Sequence, residues 1–62
     1  GVAAVIRQRR LARAKEILRC DYERTLRLST VGHAVGIASP AHFARLFKQA
    51  FGMSPGEFRA QL

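Results

Sequence analysis

Apolar residues along this chain recur at helical spacing, and strand-like alternation persists nowhere. Leu11, Ala14, Ile17 and Leu18 share one helical face, which predicts a first helix over about 3–19. At about 1.5 Å per residue it is roughly 25 Å long. Its N-terminal half is less tidy. The stripe continues back through Ala3, Ala4 and Ile6 but meets Arg7 and Arg10. That half is expected to pack against something outside the chain. Residues 20–25 read as a polar connection.

A second helix is predicted over about 27–35, with Leu28, Val31 and Val35 on one face. Gly36 then supplies a left-handed stop. Gly32, inside that helix, costs about 1 kcal/mol relative to Ala, which makes sense if another helix crosses closely. The third helix begins at Ser39-Pro40, with Ser39 as cap and Pro40 where a missing N–H does no harm. Its expected buried face is Phe43, Leu46, Phe47 and Ala50, and Gly52 ends it. Ser54-Pro55-Gly56-Glu57 opens a fourth helix as a capping box, with Phe58 and Leu62 as its apolar edge. The fold class is therefore all-α, with about four helices: a long first one, two short ones around a tight turn, and a short C-terminal one.

Length and composition narrow the function. A chain of 62 residues holds one small domain or a piece of a larger protein. It buries only about 60% of its unfolded surface, so the core is thin and an enzyme with a deep pocket is not expected. An apolar fraction of 48% argues against disorder. Cys20 is the only cysteine, so there is no internal disulfide, and a lone thiol suits a reducing, intracellular setting. No apolar run is long enough to span a membrane. Gly1–Ile6 is too short for a secretory leader. The chain starts on Gly1 rather than Met, which suggests a fragment or a trimmed chain.

Charge points to a partner. Eleven Lys and Arg stand against four Asp and Glu, a net charge of +7. Nine of the eleven are Arg, the side chain suited to bidentate phosphate and guanine contacts. Such a surface attracts a polyanion: DNA, RNA or an acidic membrane. Residues 1–19 carry +5, residues 20–38 carry no net charge and residues 39–62 carry +2.

The predicted second and third helices are joined only by Gly36-Ile37-Ala38-Ser39. Two short amphipathic helices around a tight Gly-containing turn make a helix-turn-helix, whose second helix enters the DNA major groove. Opposite the third helix's apolar face stand Ala41, Ala44, Arg45, Lys48 and Gln49. The candidate DNA-contacting residues are Ser39, Pro40, Ala41, His42, Ala44, Arg45, Lys48 and Gln49. Arg45 would reach guanine O6/N7 or a phosphate. Pro40 and Ala41 would touch only apolar features such as a thymine methyl. Lys48 is better placed for the backbone.

The stretch 31–59 also has a familiar form. It runs Val31-Gly32-His33-Ala34-Val35-Gly36-Ile37-Ala38-Ser39, then His42-Phe43-Ala44-Arg45-Leu46-Phe47-Lys48, then Phe51-Gly52-Met53-Ser54-Pro55-Gly56-Glu57-Phe58-Arg59. It resembles the C-terminal DNA-binding region of the AraC/XylS family of bacterial transcription regulators, and its spacing matches without a gap. Arg10–Leu18 resembles the helix that links the family's two helix-turn-helix units. The resemblance implies a homeodomain-like helix-turn-helix, with residues 1–20 as linker helix and 26–62 as the second unit. The first unit and any effector-sensing domain would lie outside the chain. The implied partners are double-stranded DNA, those missing parts and RNA polymerase, in the bacterial cytoplasm and on the nucleoid. Departures from the pattern are Ile37 for Phe in the turn, Gly32 for Ala, Arg27 where a Ser/Thr cap is common, and Ala41 for the second Ser of a pair.

Structural readings stand beside these. Phe43, Phe47, Phe51 and Phe58 are expected in the core, not in a base-stacking platform. The basic face of the first helix admits a solvated surface, phosphate contacts or interdomain pairing. His33 and His42 have no metal-ligand set around them, and His42 lies beside the recognition face. No cofactor is expected. Cys20 reads as a thiol at a helix end. The rivals to DNA binding are a basic helical module that docks an acidic protein and, resting on the first helix alone, a binder of anionic membranes.

Overall fold

The computed structural model describes residues Gly1–Leu62. Four helices follow in order: α1 (Val2–Cys20), α2 (Leu28–Ala34), α3 (Pro40–Phe51) and α4 (Pro55–Ala60). There is no strand. The sequence-predicted all-α arrangement stands, with boundaries shifted by a residue or so. Arg27 and Val35 are the caps of α2 rather than its ends.

One core holds the helices together. Leu11, Ala14 and Leu18 enter it from α1, Val31 and Val35 from α2 and its cap, Phe43, Leu46 and Phe47 from α3, and Phe58 from α4. Ile37, in the turn before α3, is also buried. Burial of a side chain the size of Phe contributes about 1.5–3 kcal/mol, so Phe43 and Phe47 anchor the domain. Phe47 is the hub of the aromatic contacts. Its ring centroid lies 5.9 Å from Phe43, 4.7 Å from Phe51 and 5.8 Å from Phe58, all edge-on or tilted. Lys15 Nζ sits 4.7 Å from the Phe51 centroid and 5.5 Å from that of Phe58, so a cation covers this end of the core.

Two expected core residues are corrected. Ala50 is exposed, because the last turn of α3 packs through Phe47 and Phe51 and leaves the Ala50 side open. Leu62 is exposed because α4 stops at Ala60, before another turn could bring it inward. Phe51 is half-buried rather than interior.

The connection from α1 to α2 is built on Asp21. Its carboxylate accepts hydrogen bonds from the Thr25 N–H at 3.1 Å, the Leu26 N–H at 3.0 Å and the Thr25 hydroxyl at 3.3 Å. Arg24 takes a positive φ of 55° inside this loop. Two long-range bonds tie the loop to the chain's end. Arg59 Nη1 donates to the Leu26 carbonyl at 2.6 Å, and Arg24 donates to the Leu62 carbonyl.

Residues 1–10 are all exposed. At 100° per residue, Val2 lies roughly 160–180° and Ile6 roughly 120–140° around α1 from Leu11 and Leu18. Val2 thus faces away from the side that α1 buries here, while Ile6 borders the turn beside Ile37 and Leu46.

Candidate nucleic-acid interface

The turn between α2 and α3 sets the direction of α3. Gly36 has φ +83°, a left-handed conformation that ends α2. The Gly36 N–H donates to the His33 carbonyl at 3.0 Å, and the Ile37 N–H donates to the Gly32 carbonyl at 2.8 Å. Together they close α2 and turn the Ile37 side chain into the core. Ser39 then caps α3, its hydroxyl accepting from the His42 N–H at 3.3 Å, with Pro40 at the first helical position. Gly52, at φ +80°, closes α3 with its N–H on the Lys48 carbonyl at 2.8 Å.

α3 buries Phe43, Leu46 and Phe47 and leaves its other side in solvent. Ala41, Arg45, Lys48 and Gln49 are exposed together on that outer face. Ser39, Pro40 and His42 are exposed at the N-terminal end. Ala44 is half-buried. Ala41, Arg45, Lys48 and Gln49 thus share one exposed face, Ser39, Pro40 and His42 are exposed at its N-terminal end, and Ala44 stands outside it.

A family model described as a helix-turn-helix domain matches residues 1–61. The chain belongs to the AraC-type helix-turn-helix family. The HTH-type transcriptional regulator GlxA of Rhizobium meliloti (strain 1021) is 34% identical over 59 residues, covering 95% of this chain and 17% of the relative. The chain therefore spans only a small part of that relative's length. No solved structure is a significant match.

In this helix-turn-helix domain the positive charge is almost wholly uncompensated. The single ion pair is Arg19 to Glu16 at 3.5 Å, on the solvent side of α1. Arg45 and Lys48 make no side-chain hydrogen bond and no ion pair within the chain. Glu57 is held to its own capping box. It accepts from the Ser54 N–H at 3.0 Å, while its own N–H donates to the Ser54 hydroxyl at 3.1 Å. The Ser54 N–H and hydroxyl hold the Glu57 carboxyl below its ordinary value, against a small opposing effect of desolvation and with help from the Lys48 charge. Desolvation pushes the Asp21 carboxyl up. The N–H groups of Leu26 and Thr25, the Thr25 hydroxyl and the Arg59 charge outweigh it, so this group too lies below its ordinary value.

No three His, Cys, Asp or Glu side chains stand close enough to hold a metal ion. No helix is long and apolar enough to cross a membrane. Cys20 is exposed at the end of α1. The sequence pattern did not reveal Arg24 and Arg59 as ties between the loop and the C-terminus. Partners more than thirty residues away leave no local spacing to read.

Proposed function

We propose that this domain binds double-stranded DNA sequence-specifically in transcription regulation, with α3 in the major groove. Arg45 contacts a base edge and Lys48 a backbone phosphate. Ser39, Pro40, Ala41, His42, Ala44 and Gln49 border the contact. The observation that carries the reading is the outer face of a capped α3, whose two cations form no salt bridge in a chain of charge +7. Phosphate contacts supply most of the affinity and its salt dependence.

In this reading residues 1–20 link two helix-turn-helix units and 26–62 form the second. The exposed Val2 and Val5 of α1 support it, because an apolar helical edge needs a second body to cover it. That body is the first unit of a longer regulator, beyond which an effector domain and a contact with RNA polymerase belong to the same reading. It implies a site of action on bacterial nucleoid DNA.

Titration of a labelled mixed-sequence duplex with the chain tests the reading, followed by fluorescence anisotropy across a salt series. Binding is expected to weaken steeply with salt, and Lys48→Ala to lower the slope of log K against log salt by about 1. Absence of duplex binding even at low salt would overturn the reading and favour an acidic protein as partner.

A further inference from the structure

A second basic feature lies beside α3. Arg7 and Arg10 of α1 and His42 of α3 line an open groove of about 410 Å³ whose floor includes Gly36, Ile37 and Leu46. No acidic residue lines it. None of these three side chains takes part in a hydrogen bond or ion pair within the chain. Arg10 lies over the turn itself: a Cβ built on Gly36 would stand 3.3 Å from its Nη1 and 3.4 Å from its Cζ. On the far side of that guanidinium, Arg9, Arg10 and Arg13 line a shallower groove with Val35. Like charges three and four residues apart on a helix repel each other. Arg7 and Arg10, three residues apart with no acid in their groove, therefore suit an anion supplied from outside.

The helical wheel fixes what that anion meets. At about 100° per residue, Lys48 and His42 lie roughly 60° to either side of Arg45. The major groove is about 12 Å wide and bounded by a phosphate strand on each side. A helix that aims Arg45 at the groove floor turns Lys48 toward one wall and His42 toward the other. The groove with Arg7 and Arg10 then lies on the His42 side.

We propose that Arg7, Arg10 and His42 grip a DNA backbone phosphate on the wall opposite the one that Lys48 faces. The inference rests on the proposal that α3 enters the major groove. Both guanidinium groups offer forked donors to phosphate oxygens, and the imidazole offers an N–H. Arg10 already lies over the Gly36 turn, on the side of the groove that His42 lines.

The test compares two double variants of the full chain on a labelled mixed-sequence duplex. Arg7→Gln with Arg10→Gln empties the groove of guanidinium groups. Arg9→Gln with Arg13→Gln removes the same charge from the same helix outside it. Circular dichroism verifies that both fold, as exposed residues permit. The first variant is expected to lower the slope of log K against log salt by about 1, the loss of one phosphate contact, and the second to leave it near wild type. His42→Ala is expected to weaken binding in the same direction as the first variant. Equal slopes for the two double variants would overturn the cleft in favour of a diffuse positive field. Duplex binding that depends on Arg45 and Lys48 but not on Arg7 and Arg10 would overturn the cleft alone. Failure of the wild-type chain to bind any duplex would overturn both proposals.

Discussion

Gly32 lies so close to the ring of Phe43 that an added Cβ would stand 3.2 Å from Cγ and 3.3 Å from Cδ2. The Ile37 carbonyl oxygen would lie 3.0 Å away. That contact lets α3 cross α2 at the distance the turn requires. In an open helix Gly→Ala gains about 1 kcal/mol. Here Gly32→Ala is expected to destabilise the domain by about 1–3 kcal/mol through overpacking, read from urea unfolding. A gain in stability would contradict the close approach.

Gly36 and Gly52 share a positive φ but differ in surroundings. A Cβ at Gly52 meets nothing within 4 Å, whereas one at Gly36 meets Arg10. Ala at either position is expected to cost about 1–2 kcal/mol of backbone strain. Each kcal/mol lowers the melting temperature of a domain this size by roughly 4–8 °C. Only Gly36→Ala is also expected to disturb Arg10 and so change salt-dependent duplex binding. Melting at the wild-type temperature for either variant would count against the left-handed caps.

Phe47 is fully buried and touches three other aromatic rings. Phe47→Ala is expected to cost about 3–5 kcal/mol. Small domains hold about 0.05–0.15 kcal/mol per residue, so that variant should lose most of its helical circular dichroism near room temperature. Half-buried Phe51, changed to Ala, should lose less. Equal losses would place the core elsewhere.

The acid response follows from Asp21 and Glu57. Both carboxyls lie below their ordinary values of 3.8 and 4.5 in the folded chain. The unfolded chain therefore binds more protons in the window beneath those values. Their stabilisation is complete at higher pH and is lost as pH falls below 4.5 and through the lowered values. The melting temperature should hold from neutral pH to about 5 and then drop. Asp21→Asn and Glu57→Gln should each flatten the drop, and an unchanged acid slope in both would contradict these roles.

Much of this was legible in the sequence because it is local. The spacing of Phe43, Leu46 and Phe47, the Ser39-Pro40 start and the Ser54–Glu57 box each declare themselves within a turn or two of helix. Gly36 announced its conformation because few other residues tolerate it. What escaped was long-range. Ala50 has the right helical phase for the core, yet no neighbour covers it, and phase cannot report a neighbour's reach. The Arg59–Leu26 tie spans 33 residues and carries no periodicity. The outer face of α3 was legible as a surface, since its residues are those the apolar pattern leaves over. The groove of Arg7, Arg10 and His42 was not, because it forms only when α1 passes the turn.

The most direct measurement is selection of random duplex DNA on the chain, repeated with Arg45→Ala. The account predicts an enriched motif of a few base pairs. It also predicts that Arg45→Ala relaxes preference at one of them and costs about 1–3 kcal/mol of binding. An identical motif and affinity for the variant, or no enrichment by the wild-type chain, would contradict readout by α3.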